Sequence, residues 1–143
     1  MVTLGWKGSA RPRFLFVCVG NAGRSQMAEA FALSQGLIAA SAGTVPSGSM
    51  NPTVVQVMKE KGIDISSKVP KMLTLEMVDW ADTVVTMGCS VEAVCPAPTL
   101  AMMKKSLVDW HLDDPKGKTV EEVRKIRDEI ERNVRSLQGG SSA

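Results

Sequence analysis

The stretch Phe14-Leu15-Phe16-Val17-Cys18-Val19-Gly20-Asn21-Ala22-Gly23-Arg24-Ser25 decides how the chain is read. Four consecutive apolar residues at 14–17 predict a strand buried on both faces of a parallel sheet. Gly20 and Gly23 then permit the backbone angles of a tight loop. From Ser25 onward the apolar positions Met27, Ala28, Phe31 and Ala32 fall at helical spacing, which predicts a helix over 25–34. A strand, a glycine-bearing loop and a helix start gather several backbone N–H groups and the positive end of a helix dipole around one point. A tetrahedral oxyanion fits there.

Cys18 opens this loop and Arg24 closes it, with five residues between them. A guanidinium can hold two oxygens of an anion through its planar fork. The same field stabilises a thiolate, so the loop offers an anion site and a nucleophile together. A buried cysteine is often only a small hydrophobe, and Cys-x5-Arg recurs by chance. The surroundings decide for chemistry: Ser25 places a hydroxyl where it can donate to the Cys18 sulfur, and Asn21 tolerates a left-handed conformation that would pin the loop from inside. The candidate binding residues are therefore Val19, Gly20, Asn21, Ala22, Gly23, Arg24 and Ser25.

Further along, 38–42 reads as a second strand, and Asn51-Pro52 opens a helix with a cap residue and a proline in its first turn. Val54, Val55, Val57 and Met58 form its apolar stripe, and Gly62 ends it. Thr74 is placed to cap a short helix ending near Trp80. Residues 83–87 and 106–110 read as third and fourth strands. Thr119-x-x-Glu122 is a capping box, followed by Val120, Val123, Ile126, Ile130, Val134 and Leu137 at spacings of three and four, with Gly139-Gly140 as the expected end. Strands alternating with helices imply an α/β fold, a four-stranded parallel sheet covered on both faces as a three-layer sandwich. Ligands in such sheets sit at the carboxyl ends of the strands. Cys18, Cys89 and Asp114 each follow a predicted strand, so all three are expected on one rim.

Composition narrows the function classes. The 143 residues suit one domain, expected over 13–138, with a flexible leader at 1–12 and a flexible tail at 139–143. A net charge of +2 gives no argument for nucleic acid or a membrane surface as partner. No run approaches the ~20 apolar residues of a membrane span, and a signal-peptide core is lacking. Three cysteines, an odd number without a secretion signal, argue for reduced thiols in the cytoplasm rather than a disulfide framework. Cys89, Cys95 and the single histidine, His111, match no usual zinc pattern, so neither a metal nor a cofactor is expected. His111 is expected to pack beside Trp110. On local sequence alone Asp113-Asp114-Pro115 reads first as an ordinary turn.

The loop and its continuation, Cys18-Val-Gly-Asn-Ala-Gly-Arg24-Ser25-Gln-Met-Ala-Glu-Ala-Phe, resemble the signature of the low-molecular-weight protein tyrosine phosphatase superfamily. Ser41-Ala42-Gly43-Thr44, residues 70–74 and Asp113-Asp114-Pro115 resemble it too, in order and rough spacing, and the match is closer to its thioredoxin-coupled arsenate reductases. The resemblance implies a low-molecular-weight phosphatase-like fold, a nucleophile at Cys18, and a general acid at Asp114, the aspartate before proline. It also gives Cys89 and Cys95 a role. Cys18 attacks the arsenic of arsenate, Cys89 takes the Cys18 sulfur as arsenite leaves, and Cys95 attacks Cys89 to leave a disulfide that thioredoxin reduces. Gly23 stands where many of these reductases carry a further cysteine. The interval between Cys89 and Cys95 is one residue shorter than in the best-known members, which leaves an external small thiol as the alternative last reductant.

Two other functions use the same loop. A phosphatase would hydrolyse a phosphomonoester through a Cys18 thiophosphate, and a non-enzymatic sensor would bind the anion without turnover. Against the phosphatase, the superfamily's tyrosine phosphatases carry substrate-stacking tyrosines after the Asp-Pro pair. This chain has Lys116-Gly117-Lys118 there and no tyrosine anywhere. Cys89 and Cys95 would also be idle in hydrolysis. Reduction of arsenate, with arsenate or phosphate as the bound oxyanion and thioredoxin as the partner, is the leading expectation.

Overall fold

A computed structural model describes residues 12–87 and 106–141. The first strand, β1, is Arg13–Cys18, and every residue after Arg13 is buried. Side chains alternate across a strand, and β1 shows why an unbroken apolar run was required. Phe14, Phe16 and Cys18 enter the core on one face of the sheet. Leu15 and Val17 enter a second core on the other face.

Helix α1 (Arg24–Ser34) returns the chain to β2 (Ile38–Gly43). Two helices follow, α2 (Pro52–Lys59) and α3 (Leu75–Trp80), and then β3 (Thr83–Thr86). After the segment outside the described residues come β4 (Ser106–Asp109) and the long helix α4 (Val120–Ser141). The four strands form one sheet in the order β2-β1-β3-β4, with every pairing parallel. The fold is the expected α/β sandwich. The α1, α2 and α4 side chains Met27, Phe31, Val57, Met58, Ile126 and Ile130 fill the larger core, and Val78 of α3 packs with Leu73 and Val84 in the smaller one.

Short-range signals set the helix starts. Asn51 caps α2 by accepting from the N–H of Thr53 at 2.9 Å and of Val54 at 3.4 Å. Thr74 caps α3 through the Met77 N–H at 3.2 Å. At α4 the capping box forms as the sequence predicts: Glu122 accepts the Thr119 N–H at 2.9 Å, and Thr119 Oγ1 accepts the Glu122 N–H at 3.2 Å. The far end of α4 differs from expectation. The helix runs through Gly139-Gly140 to Ser141. A helical glycine costs only about 1 kcal/mol relative to alanine, so two at the end of a long helix do not oblige it to stop.

Register decides where the chemistry sits. Cys18 pairs with Gly43, Val17 with Thr86, and Thr86 with Asp109, so the strands end together on one rim. From β1 the chain first moves out to β2 on one side and later crosses to β3 on the other. That reversal is a topological switch point, the place where open α/β sheets bind ligands. The loop between β1 and α1 leaves from there.

Candidate active site

The 18–24 loop is shaped from outside by the segment that follows β2. Thr44 N–H donates to the Cys18 carbonyl at 3.2 Å, Val45 to Val19 at 2.8 Å, Ser47 to Gly20 at 2.9 Å and Asn51 to Ala22 at 3.1 Å. Four loop carbonyls are thus held outward. With the peptide planar, their partner N–H groups turn to the opposite, concave side. Gly43 makes this approach possible, because a Cβ there would lie 2.7 Å from the Val19 carbonyl oxygen and 2.9 Å from Asn21 Cβ.

Asn21 pins the loop from inside. It is fully buried and adopts φ +52°, the left-handed region that asparagine tolerates. Its Oδ1 accepts from Lys71 N–H at 2.8 Å and Gln26 Nε2 at 3.1 Å. Its Nδ2 donates to Ser25 Oγ at 2.7 Å and Ser41 Oγ at 3.1 Å. Ser41 in turn donates to the buried Glu29 carboxylate at 2.6 Å. These bonds explain why α1 buries Gln26 and Glu29 as well as its apolar stripe.

Cys18 lies at the floor of the cradle, 2% exposed. Its sulfur is 2.9 Å from Ser25 Oγ and accepts the Asn21 N–H at 3.2 Å. Helix α1 adds its own donors. Its first helical bond runs from Met27 N–H to the Gly23 carbonyl at 2.9 Å, so the N–H groups before Met27 are left without helical partners. The N-cap residue is glycine and has no side chain to take them. Their positive field therefore acts on the loop interior.

Arg24 is 6% exposed and does more than close the loop. Its Nη1 donates to the Leu112 carbonyl at 3.2 Å, and its Nη2 lies 3.7 Å from Asp114 Oδ2. Its Nε is buried and has no partner among the described residues. A cavity of about 560 Å3 opens over Cys18 and Arg24, walled by Ser47, Asn51, Asp114 and Lys116 among others. The arrangement can hold a tetrahedral anion against backbone N–H groups and a guanidinium. It sets a sulfur beneath that anion and a carboxyl group at its edge.

A family model described as low molecular weight phosphotyrosine protein phosphatase matches residues 13–141. The chain belongs to that family. It is an enzyme whose relatives divide between two chemistries. The arsenate reductase of Brevibacillus brevis is 37% identical over 125 residues, which are 85% of this chain and 90% of that one. Among solved structures, the YwlE arginine phosphatase of Geobacillus stearothermophilus has a TM-score of 0.74 at 31% identity, covering 90% of this chain and 94% of that one. A thioredoxin-dependent arsenate reductase of Corynebacterium glutamicum has a TM-score of 0.72 at 32% identity, covering 94% of this chain and 65% of that one.

The structure brings Cys18, Arg24 and Asp114 to one cavity, with Val19, Gly20, Ala22 and Gly23 in its lining. Asn21 and Ser25 stand behind the loop, bonded to the sulfur rather than facing the cavity. Cys89 and Cys95 lie outside the described residues. One expectation is corrected. His111 does not pack beside Trp110; its side chain is 91% exposed, and its Nε2 lies 3.3 Å from Asp109 Oδ2. Trp110 packs instead against Phe16, with ring centroids 5.8 Å apart. The wall at 44–51 is not apparent from the sequence, in which Asn51 reads only as a helix cap. The order Ser41-Ala42-Gly43-Thr44 was the signal for that wall.

Proposed function

We propose that this enzyme reduces arsenate to arsenite through an adduct on Cys18, with Cys89 and Cys95 completing a disulfide relay that thioredoxin regenerates in the cytoplasm. The observation that carries the reading is the placement of the Cys18 sulfur at the floor of an N–H cradle closed by the buried Arg24. The named arsenate reductases among its relatives support the choice of anion.

The Cys18 thiolate attacks arsenic; an S–As bond forms as an As–O bond breaks, and the departing hydroxide takes a proton from Asp114 to leave as water. Asp114 stands beside Arg24 at the cavity edge, as a donor to that oxygen requires. Ser25 and Asn21 donate to the sulfur and hold its charge before attack. The Cys89 thiolate then attacks the Cys18 sulfur. An S–S bond forms, the S–As pair of electrons returns to arsenic, and As(V) departs as As(III). Cys95 attacks Cys89, frees Cys18 and leaves a Cys89–Cys95 disulfide, which the thioredoxin dithiol reduces by the same exchange.

Hydrolysis of a phosphomonoester is the second reading. The likeness to an arginine phosphatase favours it, and its first step uses the same loop. Cys89→Ser separates the two. Arsenite release should vanish in this variant while hydrolysis of a small aryl phosphate persists, because hydrolysis needs only the loop and a proton donor. Arsenite release at the parent rate would rule out the cysteine relay.

A further inference from the structure

We infer that Lys116 is a specificity-determining residue, which makes the site favour phosphomonoesters whose alcohol portion carries a negative charge. The inference rests on hydrolysis of phosphomonoesters, the second reading above, as an activity of the anion loop. The cavity over Cys18, about 560 Å3, leaves room beyond a tetrahedral anion for the body of an ester. Val19 and Val45, both exposed, belong to its lining and give such a body an apolar surface to rest on. Among the described residues, the charged groups in that lining are Arg24, Asp114 and Lys116. Arg24 is buried and engaged with the Leu112 carbonyl, with Asp114 and with the anion itself. Asp114, protonated as a donor must be, adds no charge when the ester binds. Lys116 is left uncompensated: no carboxylate pairs with it among the described residues.

A tight turn keeps Lys116 at the cavity edge. Its N–H donates to Asp114 Oδ1 at 3.0 Å, and the Lys118 N–H donates to the Pro115 carbonyl at 3.1 Å. Gly117 supplies the φ of +75° that the turn needs. Pro115 anchors it as a buried residue. The turn also sorts the neighbouring charges. Asp113 and Lys118 line a separate cavity, together with His111 and Glu122. Asp113, the nearest acid in sequence after the donor itself, is thus kept out of the lining over Cys18. An ammonium or guanidinium on the ester body would meet Lys116 as a like charge and find no free carboxylate. A carboxylate or a second phosphate there gains an ion pair.

Two esters of matched shape and leaving group test this: 4-(carboxymethyl)phenyl phosphate and its neutral side-chain amide. In each, an S–P bond to Cys18 forms as the ester P–O bond breaks and Asp114 protonates the departing oxygen. Water then cleaves the S–P bond to give phosphate. At low salt, KM for the acid should lie about 2–5-fold below KM for the amide, the scale of one exposed ion pair. Salt at about 0.5 M should remove the difference. Lys116→Gln should equalise the two esters, and Lys116→Glu should reverse their order. An unchanged ratio in Lys116→Gln, with both esters weakened alike, would put Lys116 to work on the phosphoryl group and overturn the inference. A second readout needs no turnover. In the parent protein, 4-carboxybenzylphosphonate should protect Cys18 from iodoacetamide at about 2–5-fold lower concentration than its amide, and in Lys116→Gln at the same concentration. Equal protection by both in the parent would also overturn the inference. If neither ester is hydrolysed while the difference in protection persists, the hydrolytic reading fails and the charge selection by Lys116 stands.

Discussion

The Ser25 hydroxyl lies 2.9 Å from the Cys18 sulfur while accepting the Asn21 side-chain N–H at 2.7 Å. A thiolate carries no proton, so toward an ionised Cys18 the hydroxyl is the donor of this bond. Asn21 adds its own backbone N–H at 3.2 Å. The sulfur of Cys18, the proposed nucleophile, thus has two donors that a single asparagine arranges.

Ser25→Ala removes one of these donors from the thiolate that the proposed attack requires. A hydrogen bond to a charged group is worth about 1.5–3 kcal/mol, so turnover and alkylation of Cys18 at neutral pH should both slow by about 10–100-fold. Paired assays of arsenite release and iodoacetamide labelling check this. Unchanged labelling would mean the hydroxyl does not support the thiolate.

Arg24→Lys keeps the charge and loses the planar fork. A lysine ammonium cannot meet the Leu112 carbonyl, Asp114 and an anion in one geometry. kcat/KM should fall by about 10²–10³-fold, the scale of a lost electrostatic donor to the reacting group. A rate within a few-fold of the parent would remove Arg24 from anion binding.

Gly43→Ala tests the wall that shapes the loop. The added methyl would meet the Val19 carbonyl at 2.7 Å, and backbone cannot turn aside as a side chain can. Urea unfolding should show a loss of about 1–3 kcal/mol, the usual cost of overpacking. Anion affinity should drop with it, since the bonds from Thr44 and Val45 orient the cradle.

Acid stability should depend on the joint between α2 and α4. Glu60 accepts from Arg124 at 2.7 Å and from Arg127 at 2.8 Å, and these bonds lower its pKa from 4.5 to about 2. A carboxyl with a depressed folded-state pKa stabilises the fold above its unfolded value, and that contribution is lost as pH falls toward the folded one. Unfolding midpoints should therefore decline between pH 4.5 and about 2. Glu60→Gln should flatten the curve over that window. An identical pH profile for the variant would show that the joint adds nothing.

Much of this architecture was legible because it is written locally. An apolar run, two glycines and a helical stripe describe β1, the loop and α1 without reference to anything distant. The caps at Asn51, Thr74 and Thr119 act within three residues of themselves. What was hidden depends on backbone meeting backbone across the fold. The bonds from Thr44, Val45, Ser47 and Asn51 to the loop carbonyls leave no pattern in side-chain type. The clamp of Arg24 on Leu112 joins residues 88 positions apart, and local sequence gives no hint of it. His111 was misplaced for a related reason: adjacency to Trp110 in sequence does not put both side chains on one face at a strand end.

Arsenite release by the purified protein tests the central claim most directly. With arsenate, thioredoxin, thioredoxin reductase and NADPH, arsenite should accumulate over many turnovers. Without thioredoxin it should stop at roughly one equivalent per protein, because the relay then ends in a Cys89–Cys95 disulfide. Cys18→Ser should give none under either condition. An arsenite yield of zero from the parent protein, alongside steady hydrolysis of an aryl phosphate, would contradict the account and make the chain a phosphatase.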